Sequence, residues 1–182
     1  MTEFNDDKPK TQKEKSFKEQ ILAELEEANC LRKQHDLEPR QKEKEAEEFY
    51  KAASPYKPTY YWLDVEEKTM KDMNAGVEAF RAKLQALGAK NIGLYIGTYF
   101  MEEHSISTDK FTALWIPTYG FDDGYYNAAP DTNTEYDLHQ YTSQGQLNGF
   151  SHYLDLNQIA PTQDQEAIYR KLFKVQKDNS SS

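Results

Sequence analysis

Two acids separated by a single residue, Asp64 and Glu66, are the clearest candidates for chemistry in this sequence. Asp64 lies within an aromatic and β-branched run, Thr59–Val65, that predicts a strand, and Glu66 comes directly after this run. Side chains alternate along a strand, so both carboxyl groups should share one face, with Cα atoms roughly 6.5 to 7 Å apart. Acids this close interact, and one can stay protonated while the other is ionised, as general acid catalysis needs. The alternative is an exposed strand end that caps the following helix.

Three further predicted strands carry aromatic or acidic side chains along one face. These faces hold Gly93, Tyr95, Gly97 and Tyr99; Ala113, Trp115, Pro117 and Tyr119; and Asp155 with Asn157, expected near the C-terminal end of its strand. Together they predict a concave site with carboxylates at its floor and aromatic rings around it. Such a site suits a carbohydrate, whose apolar ring faces stack on aromatic side chains. The sequence leaves open that Tyr95 and Trp115 are core residues and that Asp155 bonds to backbone in a turn.

The elements that must position these residues alternate between strand and helix. The predicted strands are Thr59–Val65, Asn91–Phe100, Phe111–Tyr119, Glu135–Thr142 and Tyr153–Asn157. Apolar residues from Met73 to Leu87 recur at helical spacing and stop at Gly88, and a last helix is predicted over Gln163–Val175. Strand, helix and strand without an intervening hairpin turn favour parallel α/β units. Barrels of this class place their chemistry at the carboxyl ends of the strands.

Composition limits the function and divides the chain of 182 residues. A net charge of −9 argues against a general nucleic-acid partner, because phosphate binding needs concentrated positive charge. No apolar run is long enough for a membrane span, and the N-terminus lacks the apolar core of a signal peptide. The single cysteine, Cys30, excludes an internal disulfide framework and a cysteine-based zinc site. We predict a charged, partly disordered helical extension over residues 1–39, a catalytic domain over residues 40–176 and a disordered tail over residues 177–182.

The order and spacing of five segments resemble family 25 glycoside hydrolases. The segments are YYWLDVEE, NIGLYIGTYF, FTALWIPTYG, EYDLHQYTSQG and YLDLN, within about Ala46 to Phe173. That family comprises the muramidase-type lysozymes of phage endolysins and bacterial autolysins. Its members cleave the β-1,4 bond between N-acetylmuramic acid and N-acetylglucosamine in peptidoglycan, using a modified α/β barrel. The resemblance therefore implies a peptidoglycan-degrading lysozyme that needs neither a metal nor an organic cofactor.

The resemblance also implies roles for individual residues. Glu66 matches the general acid that protonates the leaving glycosidic oxygen, and Asp64 would stabilise positive charge at the reacting sugar or orient its N-acetyl group. Asp155 matches an acid at the far side of the cleft. Positions that line the sugar groove in the family are matched by Tyr95, Trp115, Tyr119 and Gln140. The family retains anomeric configuration, and participation of the substrate's acetamido group is one of the exceptions to the two-carboxylate scheme.

The sequence departs from the family on its N-terminal side. Family domains normally begin with three strands upstream of the Asp-x-Glu strand, the first of which carries another aspartate. Nothing upstream of Tyr56 predicts a strand. The expected fold is therefore a partial (β/α) TIM-like barrel, about strands four to eight, behind a charged helical extension. Its open sheet edges would allow self-association, and the loss of one acid and one wall of the groove would impair catalysis.

Three functions are compatible with these observations. The first is a peptidoglycan-degrading lysozyme, with a chitinase-like substrate as a variant of it. The second is a non-catalytic sugar-binding remnant, and the third is an interaction protein that uses the N-terminal helix. Under the first, the partner is bacterial peptidoglycan, with no nucleic acid and no membrane. The chain would stay cytoplasmic until released and would then act at the bacterial cell wall.

Overall fold

The computed structural model describes residues 38–173. The predicted extension over most of 1–39 and the predicted tail therefore lie outside the described residues. The elements in chain order are helix α1 over 38–53, a 3-10 turn Ser54–Tyr56, β1 Tyr61–Val65, α2 Met73–Leu87, β2 Ile92–Ile96, α3 Thr98–Glu103, β3 Ala113–Pro117, β4 Leu138–Gly145, β5 Leu154–Ile159 and α4 Gln165–Leu172. None of the helices in this part of the chain has the length and apolar character needed to span a membrane.

One five-stranded sheet carries the fold, with its strands side by side in the order of the sequence. Strands β1 to β4 run parallel, which confirms the predicted α/β units. Strand β5 runs antiparallel to β4, so Gly145 pairs with Leu154 and Gln140 with Asn157. The physical reason is the connection 146–153, which is too short for the crossover of a dozen or more residues that a parallel neighbour requires. The parallel prediction therefore fails for the last strand.

The predicted strand Asn91–Phe100 is wrong in its second half. Strand β2 ends at Ile96, and Gly97 is the N-cap of the short helix α3. Tyr99 therefore lies on a helix with 78% of its surface exposed, and it does not share a sheet face with Tyr95. The Thr-Tyr-Phe run after Gly97 has high β-propensity, but such propensity is readily overridden by tertiary context.

The core lies between the sheet and helices α1 and α2. Alternation along β1 buries Tyr61, Leu63 and Val65 on the helix-facing side. In register beside them are Ile92, Leu94 and Ile96 of β2, followed by Leu114 and Ile116 of β3. The ring of Phe49 in α1 meets Tyr61 at 6.0 Å and Phe80 of α2 at 6.1 Å between centroids. This layer fixes β1, and with it the strand end that carries the acids.

Helix α2 begins and ends at residues suited to those positions. The Asp72 carboxylate accepts a 3.0 Å hydrogen bond from the Ala75 N–H at its start. Gly88 ends it at φ 109, a left-handed conformation that glycine adopts without strain, as the sequence predicts. On its outer side Glu78 pairs with Arg81 and Lys110, which lowers the pKa of Glu78 to about 2. The bond to Lys110 joins the helix to the segment that precedes β3.

Candidate active site

The two acids of the Asp-x-Glu motif lie at the carboxyl end of β1. Asp64 is the fourth residue of the strand, and Glu66 follows directly after its last residue. Leu63 and Val65 point into the core, so Asp64 lies on the opposite, open face together with Trp62. Both acids are exposed. The alternation predicted from the sequence therefore places the motif at the edge of the sheet where the parallel strands end.

Glu66 has the electrostatic environment of a proton donor. The residue as a whole is exposed, but partial desolvation of its carboxyl group is the largest cause of a raised pKa. The negative charges of Asp64, Glu67 and Asp155 raise this pKa further, as does a hydrogen bond with the Asp64 carboxyl group. A carboxyl group held this way keeps its proton at higher pH than a free glutamic acid does. Glu66 can therefore deliver a proton to a bound group.

Asp155 reaches the same edge by a route that differs from the prediction. It is the second residue of β5, not near the end of a parallel strand. Because β5 is antiparallel to β4, its first residues lie beside the carboxyl end of β4. The negative charge of Asp155 raises the pKa of both Glu66 and Tyr119. Reversal of the last strand therefore brings a third acid to the edge where Glu66 lies.

Three aromatic rings form the open face of the sheet behind the acids. The Trp115 ring meets Tyr95 at 4.9 Å and Trp62 at 5.6 Å between centroids, edge to face in both pairs. The Trp62 ring lies directly over Gly93, where an added Cβ would come within 2.3 Å of the ring. Glycine is required at this position because the indole occupies the space of a side chain. The rings form one continuous aromatic wall.

The indole of Trp115 is fixed from the far end of the sheet. Its Nε1 donates a 2.9 Å hydrogen bond to Oδ1 of Asn157 in β5. Asn157 is exposed and shares its strand face with Asp155. The strand that contributes the third acid therefore also sets the orientation of the central tryptophan.

Two tyrosine hydroxyls lie between this wall and the acids. The Tyr95 and Tyr119 oxygens are 3.4 Å apart. Burial, the neighbouring Tyr119 hydroxyl and the charges of Glu66 and Asp64 raise the pKa of Tyr95. Burial also raises the pKa of Tyr119, with contributions from Asp155, Glu66 and Asp122. Both hydroxyls therefore stay neutral, and the one that accepts within this pair can donate its proton to a ligand.

Gln140 and His139 lie inside the sheet. Gln140 faces the open side in register with Pro117 and Asn157, but only 4% of it is exposed. His139 is completely buried, with Nε2 2.9 Å from the Thr118 carbonyl and Nδ1 3.2 Å from the Gln158 amide. Its burial lowers its pKa. It thus holds the end of β3, next to Tyr119, as a neutral ring.

A cavity of about 480 Å³ lies along the outer edge of β1, which is the edge that does not pair with β2. It is lined by side chains of α1, β1 and α2, including Phe49, Leu63, Val65, Met70, Met73, Val77 and Phe80, and it reaches Asp64, Glu66 and Glu67. Within 38–173 no strand pairs with this edge of β1. Over the same residues no group of His, Cys, Asp and Glu side chains is arranged to hold a metal ion.

The family model for glycosyl hydrolases family 25 matches residues 11–150. The chain belongs to this family. The match includes α1 and strands β1 to β4. It begins upstream of Ala46, the residue at which the resemblance noted in the sequence starts. No curated protein matches the chain in a sequence search.

Solved structures of family 25 proteins resemble the chain. GHIP, a glycosyl hydrolase 25 and virulence factor of Streptococcus pneumoniae participating in host cell invasion, is 61% identical with a TM-score of 0.72, and the match covers 74% of this chain and 60% of GHIP. The catalytic domain of endolysin ply40 from bacteriophage P40 of Listeria monocytogenes is 28% identical with a TM-score of 0.57, covering 68% and 58%. The CTP1L endolysin is 26% identical with a TM-score of 0.57, covering 73% and 45%. The chain thus spans less than two thirds of each structure.

The candidate site brings most of the predicted residues into one region. Charge interactions and ring contacts connect Glu66, Asp64, Asp155, Tyr95, Tyr119 and Trp115. Gln140 lies in the same sheet but is buried. The prediction assigned no site role to Trp62 or Asn157, although it placed Asn157 on the same strand face as Asp155. The signal was present for both, because each lies two residues from a predicted acid and so shares its strand face.

Proposed function

We propose that this chain has the activity of a lysozyme-type N-acetylmuramidase, which hydrolyses the β-1,4 bond between N-acetylmuramic acid and N-acetylglucosamine at the bacterial cell wall. The observation that carries the proposal is the position of Glu66 at the carboxyl end of β1, two residues after Asp64 and close enough to Asp64 and Asp155 for their charges to raise its pKa. Membership of family 25 supports the same reaction class. The substrate and the residue roles are proposals for this chain.

In this mechanism Glu66 protonates the glycosidic oxygen of the leaving sugar. Positive charge then develops at the anomeric carbon, and the negative charge of Asp64 stabilises it or orients the N-acetyl group that attacks from within the substrate. Water subsequently opens the intermediate, with Glu66 taking back a proton. Asp155 contributes charge from the β5 side of the cleft, where it faces both Glu66 and Tyr119.

The aromatic wall provides the sugar-binding surface of the proposed cleft. Trp115, which is partly exposed, presents its ring to an apolar sugar face, and the Tyr119 hydroxyl is available to a sugar hydroxyl. Tyr95 is buried, with 9% of its surface exposed, and supports the indole of Trp115 edge to face. The Gln140 side chain is buried, so we propose that Gln140 contributes to this surface by supporting the side chains around it. No metal or organic cofactor takes part in the proposed reaction.

We further propose that the described sheet is part of a barrel, corresponding to about strands four to eight. The unpaired edge of β1 and the apolar cavity along it support this arrangement, because a further strand would cover both. Either more polypeptide of family 25 type or a second copy of the chain could pair there. Turnover is expected to be impaired wherever this edge of β1 stays unpaired, because one wall of the cleft is then open.

The test is hydrolysis of purified Gram-positive cell walls, followed by turbidity and by the release of reducing ends. We expect release by the wild type and a loss of at least about 100-fold in Glu66→Gln, since a positioned general acid contributes about 10² to 10⁴. Glu102→Gln, which removes an exposed acid from α3, is the matched control and should keep wild-type activity.

Two outcomes would contradict the proposal. Equal rates in the wild type and Glu66→Gln would remove Glu66 from the general acid role. A folded wild type that binds cell walls without releasing reducing ends would instead support the non-catalytic sugar-binding alternative.

A further inference from the structure

Strands β4 and β5 extend beyond the rest of the sheet. The last residue of β3, Pro117, pairs with Gln140, whereas β4 continues to Gly145 and is paired there by β5 as far as Leu154. At about 3.3 Å per residue the extra length is roughly 15 Å. We call residues 141–156 the hairpin arm. It projects from the edge of the sheet at which Glu66 and Asp155 lie.

The tip of the hairpin arm exposes large apolar side chains. The exposed fractions are 62% for Leu147, 52% for Phe150 and 59% for Tyr153. The turn is ordered by a 3.0 Å hydrogen bond from the Phe150 N–H to the Leu147 carbonyl, with Gly149 at φ 88. Apolar groups presented together on an ordered loop commonly mark a binding surface.

The loop that follows β3, residues 119–128, is fastened to this arm. The Asp122 carboxylate accepts three 2.7 Å hydrogen bonds, from the Thr142 hydroxyl and from the N–H and hydroxyl of Ser143. The Gly124 N–H donates to the Thr142 hydroxyl at 3.1 Å. Asp122 has φ 50, an uncommon conformation for a residue other than glycine, so these bonds hold the loop in an otherwise unfavourable shape.

The fastened loop also exposes large apolar rings. Phe121 is 87% exposed and Tyr125 75% exposed. The loop begins at Tyr119, which interacts with the charges of Glu66 and Asp155, and Asp155 itself lies near the end of the arm, as the second residue of β5. The loop and the arm, which carry the exposed rings, therefore each include a residue of the acid site. The acids in and beside this surface disfavour an anionic ligand, whereas neutral sugar rings stack on aromatic side chains.

We propose that the hairpin arm and the loop 119–128 form a second glycan-binding surface, which contacts sugar units of an N-acetylglucosamine-containing strand away from the cleaved bond. The inference rests on the proposed function for the class of ligand. It adds that the chain binds long glycan strands more tightly than short ones, and that the additional affinity comes from this surface.

The test compares binding of N-acetylglucosamine dimer and hexamer by calorimetry, in the Glu66→Gln background so that no hydrolysis occurs. We expect the hexamer to bind more tightly than the dimer. The double variant Phe150→Ala/Tyr153→Ala should lose about tenfold in hexamer affinity and stay within twofold for the dimer. Tyr56→Ala is the matched control, because this tyrosine is 86% exposed but precedes β1, at the opposite edge of the sheet.

A second variant tests the fastening of the loop. Asp122→Asn weakens the hydrogen bonds that hold the loop to the arm and should lower hexamer affinity while leaving dimer affinity unchanged. Loss of hexamer and dimer affinity together in the double variant, no loss of either, or no difference between the two ligands in the parent would each overturn the inference. Length-dependent binding by a protein that releases no reducing ends from cell walls would leave the inference standing and reject the proposed function.

Discussion

The two faces of the sheet are built from alternate residues of the same strands, yet they are built differently. The helix-facing side is aliphatic and dry, with Leu94, Ile96 and Ile116 completely buried. The open side has few aliphatic side chains and relies on specific contacts, such as the hydrogen bond from Trp115 to Asn157. A core of the first kind tolerates swaps that conserve volume, because packing is its main requirement. The second kind depends on the identity of each group.

This difference indicates that stability and chemistry are separated by a single position along each strand. Leu63 contributes to the core, and Asp64 beside it contributes to the acid site. Substitutions on the two faces should therefore have separable effects on unfolding and on the site.

The largest expected effect tests the aliphatic face. Leu94→Ala leaves a cavity in the centre of the sheet and should lower the free energy of unfolding by about 2 to 5 kcal/mol. Asp155→Ala, at an exposed position of the open face, should change it by no more than about 0.5 kcal/mol. Urea unfolding measures both. Similar losses in the two variants would contradict the separation of the faces.

An intermediate effect tests the aromatic wall. Gly93→Ala places a methyl group against the Trp62 ring, which must move, so we expect a loss of about 1 to 3 kcal/mol and a change in tryptophan fluorescence. Gly97→Ala is the matched control, since nothing lies within 4 Å of its added Cβ, and it should cost only about 0.5 to 1 kcal/mol, from the poorer N-cap that alanine gives to α3. If Gly93→Ala were as mild as Gly97→Ala, the ring would not be fixed over the glycine.

The smallest effect on stability tests the acid cluster. Asp64→Asn removes a negative charge and a hydrogen-bonding carboxyl group and should lower the pKa of Glu66, as followed by carboxyl NMR. A raised pKa of Glu66 in the folded state favours folding below its unfolded value of 4.5, and this contribution is lost as pH rises through the folded value. The variant should therefore gain a few tenths of a kcal/mol at neutral pH, limited by solvent screening.

The pH dependence of turnover gives a further readout of the same variant. The alkaline limit of wall hydrolysis should move to lower pH in Asp64→Asn, because Glu66 loses its proton earlier. An unchanged NMR titration of Glu66 would show that Asp64 does not affect its proton.

Much of the fold could be predicted from the sequence because it depends on local patterns. Aromatic and β-branched runs located all five strands to within a few residues at most ends, and the spacing from Met73 to Gly88 located helix α2. The direction of β5 was missed although the short connection 146–153 after Gly145 signals a hairpin. The helix after Gly97 was missed because its residues also suit a strand.

The candidate site was predictable only where it depends on one strand. Asp64 and Glu66 follow from alternation alone. The contact of Trp62 with Gly93 depends on the register between β1 and β2, and the bonds of Asp122 join positions about 20 apart in the chain. No local pattern encodes such pairings, because register is set by the packing of the whole sheet.

The strands lie side by side in the order in which they occur in the sequence, and this has a consequence for synthesis on the ribosome. Each strand that emerges finds its neighbour already made, so the sheet can be extended in the direction of translation. Asp155 and Asn157 belong to the last strand to emerge. A nascent chain therefore holds all the residues of the aliphatic layer of β1 to β3 before it holds a complete set of acids or the asparagine that fixes Trp115.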